Sequence, residues 1–144
     1  MAREYSISDV SDFLAAIKLD RYINTFAEND VSGDFLLGIG IGSLNELKVT
    51  SALDKIKIMV GFRRKLMGGV VRYPISVITT FLKENKLGQY CNLFESEGLD
   101  GDMLLFGDEA LVKKMLHEVG IKSELHVDKI VSKFETYTEE KDAV

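Results

Sequence analysis

Hydrophobic positions in this chain recur every three or four residues, the period of an amphipathic helix, and they do so in two successive sets. Val10, Phe13, Leu14 and Ile17 fall on one face of a first helix, with Ser8 or Ser11 as candidate cap and an end near Lys18. Tyr22, Ile23 and Phe26 form a short second helix, after which Asn29-Asp30 and Ser32-Gly33 read as a turn. Ser43 offers a cap for a small helix bearing Leu44 and Leu47, and Ser51 for a longer one through Leu53, Ile56 and Leu66. The same order then returns, with helices expected at 75–84, 88–97, 102–106, 109–118 and 124–137. Neither set alternates strictly, so strands are not expected.

Laying the second half on the first makes the repeat explicit. At a shift of 68 positions, Phe13-Leu14, Leu19, Tyr22, Phe26, Gly33-Asp34 and Leu36-Leu37 meet Phe81-Leu82, Leu87, Tyr90, Phe94, Gly101-Asp102 and Leu104-Leu105. Beyond these blocks the shift is 72, and Leu44, Glu46, Ser51, Leu53, Lys57, Ile58 and Phe62 meet Leu116, Glu118, Ser123, Leu125, Lys129, Ile130 and Phe134. The four extra residues lie between Leu105 and Val119, close to one helical turn, which predicts a longer fourth helix in the second copy. A unit of about seventy residues exceeds a solenoid period and implies two small domains of one kind in tandem. The expected division is 6–66, a linker at 67–72, 73–137, and a C-terminal tail at 138–144. Gly68-Gly69 can cap a helix in left-handed geometry, and Pro74 can open the next one. So short and apolar a linker predicts two all-α bundles packed against each other.

Composition narrows the function. With 46% hydrophobic and 28% charged residues this is an ordinary globular chain, and no apolar run reaches the roughly 18 residues of a membrane span. The N-terminus lacks the apolar core of a signal peptide and the single Cys91 cannot form an internal disulfide, so a reducing, cytoplasmic setting is expected. The net charge of −5 belongs to the second copy: residues 1–66 hold nine Lys/Arg and nine Asp/Glu, residues 67–144 nine and fourteen. That excess argues against nucleic acid as partner.

The chemical motifs are sparse. Gly38-Ile39-Gly40-Ile41-Gly42 lacks the preceding strand and the spacing of a phosphate-binding loop, and reads as a flexible connection with Ile39 or Ile41 tucked into the core. Cys91 aligns with Ile23 and reads as a structural thiol. His117 and His126 have no ligand pattern around them, so neither a metal nor another cofactor is expected. Arg63-Arg64-Lys65 suits the negative end of a helix dipole without any nucleic-acid or lipid partner. No nucleophile, base and orienting group can be assembled, and catalysis is not expected.

The two ordered sets resemble the sterile alpha motif, or SAM, domain, a five-helix bundle. Leu19, Tyr22, Phe26, Glu28-Asn29, Val31, Gly33, Leu36-Leu37 and Leu47-Lys48-Val49 carry the resemblance in the first copy. Leu87, Tyr90, Phe94, Leu99, Gly101, Leu104-Leu105 and Val119-Gly120-Ile121 carry it in the second. The chain has no tryptophan, which the family often places near the first helix, and Phe13 and Phe81 are expected to fill that space. Lys48 stands where the family prefers glycine, so that turn is expected to differ.

The resemblance implies a protein-interaction module in which an acidic mid-bundle surface meets a basic surface at the start of the last helix. The implied acidic residues are Asp30, Asp34, Glu97, Asp100, Asp102, Asp108 and Glu109; the implied end-helix residues are Lys48, Lys55, Lys57, Lys122, His126 and Lys129. Because unlike surfaces meet, such contacts propagate into a ring or filament. The expected function is a self-associating scaffold that clusters an attached or bound signalling effector. In similar proteins tandem SAM domains gather kinases, synaptic scaffolds or TIR domains. A heterotypic adaptor, binding another SAM-containing protein without polymerising, is the alternative, and an RNA-binding SAM module is a third reading. Charge reversal at Asp100 and Asp102 is expected to shrink the assembly while leaving helicity intact.

Overall fold

Each helix begins where a side chain or a turn can satisfy its first amides, and the computed structural model describes residues 4–142 on that footing. The helices are α1 Ile7–Ala16, α2 Ile23–Glu28, α3 Gly33–Gly38, α4 Ile41–Glu46, α5 Ala52–Leu66, α6 Ile75–Glu84, α7 Cys91–Glu97, α8 Gly101–Leu104, α9 Glu109–Glu118 and α10 Glu124–Asp142. Helix α2 is entered through a 3₁₀ turn at Asp20–Tyr22, and α7 through one at Gly88–Tyr90. The chain divides between Gly68 and Gly69 into two compact units, α1–α5 and α6–α10. Among the described residues there is no strand, and no helix is long and apolar enough to cross a membrane.

Capping explains most boundaries and corrects some expectations. Helix α1 is capped by Ser6 rather than Ser8 or Ser11: the Asp9 amide donates to Ser6 Oγ at 3.1 Å, and the Ser6 amide donates to the Asp9 carboxylate at 2.8 Å. This reciprocal pair satisfies two otherwise orphaned donors, and it outcompetes the later serines. Ser43 is likewise no cap, because α4 starts at Ile41 behind Gly40. Ser51 does cap α5, accepting the Asp54 amide at 3.2 Å, and Ser123 accepts the His126 amide at 3.1 Å. Pro74 is the N-cap residue of α6, one place before its first turn. Gly68 and Gly69 lie beyond α5 at φ values of 81° and 79°, in the left-handed region that ends a helix cheaply with glycine. Helix α10 runs past its expected end at 137 to Asp142, so residues 138–142 are not a tail; 143 and 144 lie outside the described residues.

The changed repeat shift has a simple structural meaning. Helix α4 has six residues and α9 has ten, so the four extra residues lengthen the fourth helix by about one turn. The glycine-rich run shrinks to a connection of Ile39 and Gly40, with Ile39 packed on the core. Lys48 keeps the closing hydrogen bond of its turn at a different backbone angle. It adopts φ 67° where Gly120 adopts 120°, and the next amides close alike, Val49 to Leu44 at 2.9 Å and Ile121 to Leu116 at 3.1 Å. The lysine bears the steric cost that glycine avoids, about 1 kcal/mol.

Both cores centre on the same aromatic trio. Phe62 meets Phe13 and Tyr5 edge-on, with centroids 5.3 and 6.0 Å apart, as Phe134 meets Phe81 and Tyr73 at 5.0 and 5.9 Å. Phe13 and Phe81 are buried, filling the space expected of them. The second unit adds Tyr137, which contacts both Phe81 and Phe134. Each fully buried phenyl contributes about 1.5–3 kcal/mol by leaving water, and edge-on pairing adds a smaller term.

Candidate interaction surface

The Gly-Asp pair shared by both repeats holds the fold of each unit. Gly33 donates to Tyr5 O at 2.8 Å, and Asp34 accepts the Tyr5 amide at 3.3 Å. Gly101 donates to Tyr73 O at 2.7 Å, while Asp102 accepts the amides of Tyr73 at 2.9 Å and Arg72 at 3.1 Å. The segment before each first helix is thereby clipped to the third. A side chain on either glycine has no room: a Cβ at Gly33 would lie 2.2 Å from Tyr5 Cβ, and one at Gly101 would lie 2.4 Å from Tyr73 Cβ. The sequence carried a trace of this clip, since Tyr5 and Tyr73 are also 68 positions apart.

Four of the seven expected acidic contacts accept backbone amides of their own unit. Asp34 and Asp102 are the clips, and Asp100 is 7% exposed and caps α8 by accepting the Met103 amide at 3.2 Å. Charge reversal at Asp100 and Asp102 would strip these amides of their acceptors and damage the bundle, so that pair does not separate assembly from folding. Asp108 caps α9 through Leu111 at 3.1 Å yet stays exposed. Glu109 is exposed and pairs with Lys113, which also reaches Asp128 on α10 at 3.2 Å. Hydrogen bonds to Asp128 and Glu109 raise the Lys113 pKa above its ordinary value. Asp30 is exposed in a left-handed turn, and Glu97 is half-buried at the end of α7.

The end-helix set also divides. Lys48 and Lys122 are exposed where the chain approaches α5 and α10, and Lys57 and Lys129 are half-buried at matching positions. Lys55 is not an exposed cation: it is 5% exposed and takes the register that Val127 fills in the second unit. His126 is tied within its own unit, its Nδ1 in a hydrogen bond with the Tyr90 hydroxyl and its ring edge-on to the tyrosine.

The counterpart of that tyrosine–histidine pair is a cluster absent from the sequence-based expectations. Tyr22 donates to the Asp54 carboxylate at 2.6 Å, and the Arg21 guanidinium pairs with the same carboxylate while lying over the Tyr22 ring at 4.8 Å. Asp54 is 6% exposed and is compensated by both partners. Burial pushes the Tyr22 hydroxyl pKa up, and its hydrogen bond to the Asp54 carboxylate pushes it further. For Arg21 burial works against the charge, but Asp54 outweighs it and the pKa is raised. In both units a tyrosine of the 3₁₀ turn latches onto the first turn of the last helix.

Cys91 and His117 make contacts within the fold. The Cys91 thiol is buried, 3.6 Å from the Thr79 carbonyl oxygen. His117 Nδ1 lies 2.8 Å from the Ile121 carbonyl oxygen, closing the turn after α9. Arg63 and Lys65 are exposed but Arg64 is half-buried, so the three do not form one basic patch. Among the described residues no three His, Cys, Asp or Glu side chains gather as a metal site would require.

A protein-family model described as the SAM domain (sterile alpha motif) matches the chain twice, over residues 3–64 and 74–137. Among curated proteins and among solved structures, none matches.

Proposed function

Because the chain belongs to the SAM domain family, whose members are protein-interaction modules, and carries two copies in tandem, we propose that it is a scaffold that self-associates head to tail. In this reading the exposed acidic side of one molecule's second unit meets the cations before the last helix on its neighbour, and the resulting ring or filament clusters an attached or bound signalling effector in the cytoplasm. It acts by binding and performs no catalysis. The charge pattern supports this most: Asp108 and Glu109 are adjacent and exposed on the acidic unit, and Lys48 and Lys122 are exposed before the last helix of each unit. Unlike faces join without closing at two, and opposite charge sets register and speeds encounter more than it adds affinity.

The direct test is Lys122→Glu, at an exposed position just before α10. Its solution mass should fall toward that of the single chain while its helical circular dichroism stays unchanged. A variant that assembles like the parent would remove the end-helix surface from the contact, and a parent that is a strict monomer would favour the heterotypic adaptor.

A further inference from the structure

One cleft occurs at the same place in both units, with opposite chemistry. In the second unit it has a volume of about 220 Å³, between α8 and α10, with Leu104, Leu105 and Val131 as apolar floor and Glu109 and Glu135 on the rim. In the first unit it shrinks to about 40 Å³, lined by Leu36, Leu37, Met59, Phe62 and Arg63. The repeat alignment makes the substitutions position for position: Leu104 for Leu36, Leu105 for Leu37, Val131 for Met59 and Glu135 for Arg63. The larger Met59 occupies volume that Val131 leaves open, and the basic Arg63 stands where Glu135 is acidic. One turn beyond, exposed Met67 faces exposed Glu139 in the same comparison.

The first unit's version also displays apolar surface that the second hides or lacks. Phe35 is 56% exposed, whereas its counterpart Met103 is buried, and Met67 is 69% exposed. Leu37 is 48% exposed beside the Arg63 position. The face is filled, apolar and basic in one unit, and hollow, apolar-floored and acidic in the other. Arg63 lies in the last turn of α5 and Met67 is the residue that caps its end, its amide closing back on the Arg63 carbonyl oxygen at 3.2 Å.

We propose that these two faces are a complementary pair joining successive molecules: the Leu37–Arg63–Met67 face of one copy seats in the Glu109–Glu135 cleft of a second copy. The proposal rests on the self-association reading above, and assigns it a contact separate from the cations before the last helix. Apolar side chains cover the floor of the cleft, and the Arg63 guanidinium takes a position between the rim carboxylates, where a planar donor fork suits two acceptors. A face that differs from its receptor cannot close on itself as a symmetric dimer, so each added copy leaves one face and one cleft open.

The test uses full-length variants Arg63→Glu and Glu135→Arg, both at exposed positions, with mass by light scattering across concentration and helicity as the folding control. Each single variant should weaken self-association by at least about tenfold, because like charges then meet across the contact. The double variant, and an equimolar mixture of the two single variants, should recover assembly, since both restore opposite charges. Single variants that assemble as the parent does would overturn this contact, and if Lys122→Glu still dissociates the assembly, self-association itself stands. A parent that is monomeric at every concentration would overturn both. Loss in the single variants without recovery in the double variant would also overturn the pairing.

Discussion

In the first unit the tyrosine of the 3₁₀ turn, with the arginine beside it, finds an aspartate on the last helix; in the second, the equivalent tyrosine finds a histidine. The latch survives although its chemistry does not. By contrast, the Tyr-Gly-Asp clip is built from identical residues in both units, because the tyrosine Cβ would lie 2.2 Å from a Cβ at Gly33 and 2.4 Å from one at Gly101, which leaves no alternative to glycine. Tight steric approaches preserve residue identity between the copies, whereas polar contacts at a half-exposed edge preserve only complementarity. Much of the surface charge preserves neither, although Glu46 and Glu118 match, and that is where one unit becomes acidic.

The comparison breaks most visibly at the glycines. Gly101→Ala should cost about 3 kcal/mol, since the added Cβ meets Tyr73 Cβ at 2.4 Å and Phe134 Cζ at 2.7 Å. Gly33→Ala should cost a similar amount in the first unit, read by urea denaturation; a loss below about 0.5 kcal/mol in either would show that the clip can relax. Next come the clip carboxylates. Asp102→Ala removes the acceptor of two backbone amides and should cost about 2 kcal/mol, whereas Asp34→Ala, with one longer bond, should cost about 1. Equal losses would contradict the hydrogen-bond account of the difference.

The smallest effect concerns the latch. A tyrosine whose folded pKa is raised stays protonated in the fold after the unfolded chain has begun to ionise. Its contribution is therefore complete below the ordinary tyrosine value of about 10 and is lost as pH rises from there through the folded value. Tyr22→Phe should flatten the decline of stability above about pH 10. An unchanged alkaline profile would show that this hydroxyl is not coupled to folding.

Much of this architecture was legible in the residues because it depends on local periodicity and turns. Helices at 75–84 and 109–118, the Ser51 cap and the extra turn of α9 all follow from spacing within a few residues. What stayed hidden acts across distance or between near-equivalent choices. Ser6, Ser8 and Ser11 are all plausible caps, and only the reciprocal bond with Asp9 selects Ser6. The acidic residues looked alike in sequence, yet Asp34 and Asp102 reach segments 29 positions away. Lys55 carries a charge that suits the surface, but its register, which matches that of buried Val127 in the second unit, places it inside.

The central claim, that a duplicated fold diverged in surface charge in order to join copies of itself, meets its most direct test in solution mass. Sedimentation of the full chain across concentration and salt should give a mass well above 16.1 kDa, rising with concentration and falling as salt screens the charged faces. A sharp 16.1 kDa species at every concentration and ionic strength would contradict it.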